Sequence, residues 1–335
     1  MCNSLNAVTV SLAAVGVFTF SFTAYSPCAI SCRHCLCAQV RTCLAGRNVY
    51  IFGNSIARHW AFVLADWLSF YGSDDAYSPR AQAKAGNFIQ GASNRTEEMH
   101  ECGRGGPDAR SIYHDGREHA CVLHPKGANT TSIYYDQQQA VYSTELAAAL
   151  REIARQASMI RRRRNDVIVV HAGSDDVFEK NKRQKWRDIQ VTSAPRLRDL
   201  LWDVASGRVN SSPAGLDQQH IPPFVYWRTS TPVCCKQSKC GRFGASHDEI
   251  NLALAESNPL LLGAICGEDS EHRIVQGTGP LFRGKGTVNI LDTWAWSLDR
   301  CRYYDDHVHH SKLAYEHVYA LLVDVCSGTG TGTVV

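Results

Sequence analysis

Neither sign of charge dominates this chain: 35 lysines and arginines stand against 32 aspartates and glutamates, a formal net charge of +3. A balance that even lacks the electrostatic footprint of a nucleic-acid binder. No internal repeat is present, and charged residues make up 20% against 44% hydrophobic, so a disordered chain, a collagen and a coiled coil are excluded. With 335 residues the chain predicts one large domain, or one with a small appendage. That length buries most of the unfolded surface, so neither disulfides nor a metal are needed merely to fold. The one basic concentration runs from Arg161 to Arg164 and on through Lys180, Lys182, Arg183, Lys185 and Arg187. It reads either as a helix end with a solvated helix face, or as a rim that attracts an anionic substrate.

What is plentiful is cysteine. The fourteen are spread along the chain, which suits disulfides in an oxidising compartment. Cys32, Cys35 and Cys37 cluster tightly, but no second ligand pair follows at finger-like spacing, which argues against zinc. The stretch from Ala7 to Ala24 is apolar and uncharged, with the length of a signal sequence or a single N-terminal membrane anchor. No basic residue precedes it while Arg33 and Arg41 follow, a charge order that does not favour a type II anchor. A cut after Ser31 leaves twelve cysteines, an even number. Asn94, Asn129 and Asn210 each open an Asn-x-Ser/Thr glycosylation acceptor, the last weakened by Pro213. Together these predict the secretory pathway, with the protein in the Golgi lumen or membrane or secreted.

Residues 1–31 are expected to be signal or anchor, 32–47 a cysteine-rich lead-in, 48–326 the folded domain and 327–335 a loose Gly/Thr-rich tail. Within the domain, short apolar runs predict strands at Asn48–Phe52, Thr131–Tyr135, Asp166–His171, Phe224–Thr229 and Val288–Leu291. Between them Ile56, Trp60, Val63, Leu64, Trp67 and Leu68 recur at helical spacing, as do Leu146 to Ile160, Trp186 to Val204 and Ala314 to Val325. Pro195 is expected to break the third of these helices. Ser246-x-x-Glu249 is a capping box opening another. The stretch 71–126 has little periodicity and reads as an irregular insertion tied by Cys102 and Cys121. Repeated β–α alternation predicts an α/β fold with a mostly parallel sheet covered by helices.

In such sheets ligands bind at the carboxyl ends of the strands. After the first strand comes Gly53-Asn54-Ser55, with the serine starting a helix whose N–H groups favour an oxyanion. After the Asp166–His171 strand comes Gly173-Ser174-Asp175-Asp176, and ahead of the last helix lies Asp306-His307-Val308-His309. Serine, histidine and aspartate at three strand ends are the constellation for acyl transfer. The run His307, His309, His310 also offers imidazoles to a metal, but no carboxylate or cysteine set completes a site. His59 and His171 read as packed or solvent-facing.

VYIFGNSIARHW resembles the first block of the SGNH/GDSL hydrolases, and the preceding Cys43-Leu-Ala-Gly-Arg47 strengthens the match to the PC-esterase and trichome-birefringence-like branch. VVHAGSDDVF resembles their third block and VYWRTSTP a strand of that branch. VNILD followed by YYDDHVHHSKLAYEHVYALL resembles their terminal Asp-x-x-His block and closing helix. The resemblance runs from Cys43 to Val325 except for the insertion. It implies a three-layer flavodoxin-like SGNH-hydrolase fold and a glycan O-acyl, above all O-acetyl, esterase or acyltransferase that needs no cofactor. It implies Ser55 as nucleophile, His309 as general base and Asp306 as the group orienting the imidazole, with Asp305 as fallback. Gly53, Asn54, Gly173, Asp175, Asp176 and Arg228 would line the oxyanion and substrate side, Arg228 either positioning substrate or pairing with a carboxylate. Three positions depart from the pattern. Asn54 stands where the family has aspartate, Asp175 where it has an asparagine that donates to the oxyanion, and the second-block glycine is open among Gly86, Gly91, Gly105 and Gly106. An ionised Asp175 only accepts hydrogen bonds, so a catalytically inactive glycan-binding protein of the same fold is the alternative.

Overall fold

The computed structural model describes residues 43–70, 120–123, 132–138, 140–159, 166–207, 223–234, 244–266, 281–283, 288–304 and 308–327. The apolar run Asn48–Gly53 is strand β1, and Ser55–Phe70 is helix α1. Strands β2 (Ala120–Leu123) and β3 (Ser132–Gln137) precede helix α2 (Thr144–Met159) and strand β4 (Val167–Val170). Two short helices, α3 (Ser174–Phe178) and α4 (Lys180–Arg183), lead into the long α5 (Trp186–Ser206). Then come β5 (Phe224–Arg228), α6 (His247–Cys266), β6 (Leu281–Arg283), β7 (Val288–Leu291), α7 (Thr293–Ser297), a 3-10 turn at Cys301–Tyr303 and the closing helix α8 (Ser311–Ser327).

These strands form one sheet in the order β2-β3-β1-β4-β5-β7-β6. The five central strands are all parallel, and the two edges, β2 and β6, run antiparallel. Numbered by themselves, the parallel strands have the 2-1-3-4-5 order of flavodoxin-like sheets, whose direction of winding reverses between the first and third. Here that reversal lies between β1 and β4.

Strand alternation divides the core into two layers. Val49 and Ile51 of β1, with Val167 and Val169 of β4, pack on Trp60, Val63 and Leu64 of α1 and on Val318 and Leu321 of α8. Tyr50, Phe52, Ile168 and Val170 face the other way, onto Leu146 and Leu150 of α2, Leu197 and Leu201 of α5 and Leu261 of α6. Helices on both faces of a mostly parallel sheet make a three-layer α/β fold.

Two expectations are corrected. The insertion is not irregular to its end, because Ala120–Leu123 pairs with β3 as an edge strand. Nor does Pro195 break its helix: α5 runs straight through it. The missing N–H would have served the carbonyl of Val191, a residue that is 56% exposed, so the helix gives up that bond on its solvent side. The capping box does form, with Ser246 Oγ accepting from the Glu249 N–H at 3.1 Å.

Disulfides join Cys43 to Cys326 and Cys234 to Cys301. The first ties the segment before β1 to the end of α8. The second ties the loop after β5 to the 3-10 turn. Disulfides of this kind place the chain in an oxidising, non-cytosolic compartment. Among the described residues no helix is long and apolar enough to cross a membrane. The N-terminal apolar segment, the clustered cysteines 32–37, Cys102, Arg161–Arg164, the tail from 328 and the acceptors Asn94, Asn129 and Asn210 lie outside the described residues. Within the rest of the basic concentration, Lys182 pairs with Glu179 at 3.1 Å, Arg187 pairs with Glu256, and Arg183 donates to the carbonyls of Val177 and Phe178.

Candidate active site

Ser55 stands where β1 turns directly into α1, and Gly53 makes that turn possible. Its φ is +158°, and a Cβ there would lie 2.6 Å from Ala57 Cβ and 2.7 Å from the His171 carbonyl oxygen. Strand, helix and the neighbouring β4 terminus meet too closely for any side chain. Asn54 then caps the helix: its Oδ1 accepts the Ile56 N–H at 3.0 Å, and its carbonyl accepts the first helical bond from Arg58 at 3.1 Å. Ser55 is thus the first residue of α1, where backbone N–H groups are unspent and the helix end is electropositive.

The turn is held from below by Tyr135 of β3, whose buried hydroxyl lies 3.1 Å from the Gly53 oxygen and 3.2 Å from the Asn54 oxygen. Burial raises this phenol well above its ordinary range, so it stays a donor. Both carbonyls have a second donor, Gln138 N–H for Gly53 and Arg58 N–H for Asn54. Tyr135→Phe therefore strands no acceptor and is expected to cost about 1 kcal/mol, read as a lower urea midpoint at unchanged slope.

Across the winding reversal lies the turn after β4. Gly173 takes φ +95°, and a Cβ there would meet Val141 Cγ2 at 2.7 Å. Its carbonyl accepts from Gln190 Nε2 at 3.0 Å, and Gln190 is itself held by Ser257 Oγ at 2.7 Å, so α5 and α6 both brace the turn. Asn54 joins the two turns: its Nδ2 donates to Ser174 Oγ at 2.8 Å and to Asp175 Oδ1 at 3.3 Å. Burial pushes Asp175 up to about 6, although the Asn54 bond pulls the other way. Asp176 is likewise pushed to about 6 by burial. It is 1% exposed with no hydrogen bond to either oxygen, and the Lys182 charge is the strongest influence pulling the other way.

From the other end of the chain His309 arrives two residues ahead of α8. Its Nε2 lies 2.9 Å from Ser55 Oγ, within hydrogen-bond reach, and both residues are half-buried. His309 also stacks on His59 of α1, ring centroids 4.6 Å apart and planes within 12°. The next residue, His310, turns inward and puts its Nε2 3.2 Å from Thr231 Oγ1. The two imidazoles thus serve different partners. Among the described residues no three His, Cys, Asp or Glu side chains converge on a metal position.

Arg228 ends β5 fully buried. None of its three nitrogens has a hydrogen-bond partner, and instead of pairing with a carboxylate its guanidinium lies 4.6 Å over the Trp60 ring. Burial pulls it down to about 9, still charged at neutral pH. Burial first and this charge among the further causes hold His171, His310 and His317 well below the usual imidazole range.

The structure thus brings Ser55, His309, Asn54 and Asp175 into one cluster at the winding reversal, on glycines 53 and 173. Arg228 and Asp176 make no hydrogen bond or ion pair with Ser55 or His309. Asp305, Asp306 and His307, and the competing glycines 86, 91, 105 and 106, lie outside the described residues. His59, read from the sequence as packed or solvent-facing, is buried, and its stack on His309 was not foreseen. The available signal was its spacing: four residues after Ser55 on one helix is the same face. Compared with protein-family models, curated proteins and solved structures, the chain matches none.

Proposed function

We propose that the protein is a serine-dependent O-acyl esterase or acyltransferase acting on a glycan in the secretory pathway, above all on O-acetyl groups. The observation that carries this reading is the 2.9 Å contact between Ser55 Oγ and His309 Nε2, on two segments 254 residues apart. A hydroxyl is a poor nucleophile at neutral pH until a base takes its proton. In the proposed cycle Ser55 Oγ attacks the ester carbonyl while His309 Nε2 accepts the serine proton. The Ser55 N–H at the helix start faces the developing oxyanion. His309 then returns the proton to the departing sugar oxygen, leaving an acyl group on Ser55. Water or a second sugar hydroxyl gives its proton to His309 and attacks the acyl carbon; the bond to Ser55 Oγ breaks and His309 hands that proton to the serine. Asp306 is the proposed orienter of the imidazole. The cycle needs no cofactor, and the proposed partner is the acylated glycan. The oxidising compartment fits luminal Golgi or secreted placement.

The presence of Asp175 beside Asn54 favours the second reading, a glycan-binding protein of the same fold without turnover, since a carboxylate opposes an oxyanion. Rapid-quench peptide mass spectrometry after exposure to a generic acetyl ester separates the two. The expected result is an acetyl group on the Ser55 peptide, absent from Ser55→Ala. Folded protein with neither adduct nor ester loss would replace the first reading with the second.

A further inference from the structure

We propose that His59 is a positioning residue for the base: its ring lies face to face with that of His309 and keeps Nε2 on Ser55 Oγ. The inference rests on Ser55 and His309 being nucleophile and base.

The two histidines differ in how firmly they are held. His59 is in the second turn of α1, flanked by Ile56, Trp60 and Val63, which are at most 2% exposed. Its backbone belongs to a helix locked into the core against β1 and α8. His309 precedes α8, in a stretch whose adjacent anchors are the Val308 side chain in the core and His310, which accepts the Ala314 N–H at 2.9 Å as the helix begins. Those anchors act through the backbone and the Val308 side chain, while the ring itself meets Ser55 at its edge and His59 on its face. The torsion about Cβ–Cγ has a broad minimum in histidine, so a flat neighbour against its face narrows the range the ring can take. His59 is that neighbour, at 4.6 Å and nearly parallel. Rotation of His309 would drive its edge into the neighbouring ring. A stacked pair of this kind is worth about 1 kcal/mol, enough to bias one orientation severalfold.

The helix register makes the arrangement economical. Ser55 and His59 are one turn apart on the same face, so one rigid element carries both the hydroxyl and the surface against which its base rests. A shift of the base by about 1 Å is enough to lower a rate about a hundredfold, while substrate binding need not change. The requirement is for a flat face at position 59, not for a second titrating nitrogen.

The test uses the full-length protein with p-nitrophenyl acetate, comparing parent, His59→Ala and His59→Phe, with Ser55→Ala alongside. His59→Ala is expected to lower kcat about 10- to 100-fold with KM within about twofold of the parent, and His59→Phe to recover most of the loss. Parental kcat in His59→Ala, or a folded His59→Phe as slow as His59→Ala, overturns the proposal. Thermal unfolding midpoints show whether each variant is folded; if His59→Ala is not, His59→Leu, which fills the space without a flat face, takes its place, and parental kcat there overturns the proposal. Side-chain nitrogen NMR of the histidines supplies a readout independent of turnover. The His309 Nε2 resonance is expected to move in His59→Ala and to return toward the parental position in His59→Phe, and an unmoved signal overturns the clamp. If Ser55→Ala keeps parental turnover, the nucleophile assignment falls while the NMR comparison still decides on the clamp.

Discussion

His309→Ala is expected to lower kcat for ester cleavage by about 10^4-fold or more, and combining it with Ser55→Ala is expected to cost scarcely more than either change alone. The reason is chemical. The Ser55 hydroxyl holds its proton at neutral pH, and among the described residues the base placed to take it is the imidazole 2.9 Å away. Without that base the serine attacks only as a neutral alcohol; without the serine the imidazole has nothing to activate. Two groups that perform one step lose one step's worth of rate, however many of them are removed. The measurement is single-turnover cleavage of an aryl acetate by the two single variants and the double variant, each corrected for the buffer rate. His309 is half-buried and lies ahead of the first hydrogen bond of α8, so its truncation is expected to leave the thermal midpoint close to the parental value. A double variant slower than either single by the product of the two losses would mean that Ser55 and His309 act in separate steps.

The parallel strands were legible in the sequence because strands covered on both faces are continuous apolar runs, as Val167–Val170 is, punctuated by glycine. Gly53 and Gly173 are such punctuation, and both are needed where strand ends crowd together. The edges were not legible. Ala120–Leu123 and Leu281–Arg283 are four and three residues long and pair on one side only, which leaves too short a stretch for an alternating pattern to register. Disulfide pairing was not legible either. Cys43 and Cys326 are 283 residues apart and meet because α8 returns to pack beside α1. Spacing carries no trace of that.

The site divides in the same way. Ser55 and His309 were legible as residues following strands in a fixed order, since the fold delivers strand ends to one edge. Residues acting through ring faces were not. Arg228 was expected either to position substrate or to find a carboxylate, the usual company of a buried guanidinium. It lies instead over Trp60, whose face is negative and which closes the motif spanning residues 49–60. His59 on His309 is the same kind of contact. A stack involves neither charge pairing nor a donor and acceptor, so residue type alone does not announce it.

Asp175→Asn is expected to stabilise the folded protein by about 3 kcal/mol at pH 8 and by only about 0.5 kcal/mol at pH 4. Burial is the main cause of the raised Asp175 pKa, which stands at about 6 in the fold against about 3.9 for an aspartate in an unfolded chain. Below the lower value both states carry the proton, and the group contributes its full stability. As pH rises from about 4 to 6 the unfolded chain releases its proton while the fold retains it, so stability falls by about 1.4 kcal/mol per pH unit. Above 6 the fold carries a buried carboxylate and the loss is complete. Asparagine has the shape of the protonated acid, does not titrate, and keeps an oxygen to accept the 3.3 Å bond from Asn54. Urea unfolding at pH 4, 6 and 8 reads the difference directly, and an equal gain at every pH would show that the carboxylate's charge is not the cause. The same variant also bears on function. It places an N–H donor where a carboxylate adjoins Asn54 and the Ser55 turn, so in the acyl-transfer reading kcat at pH 8 rises along with stability. A rise in stability alone would leave Asp175 as a cost of the fold with no part in the oxyanion.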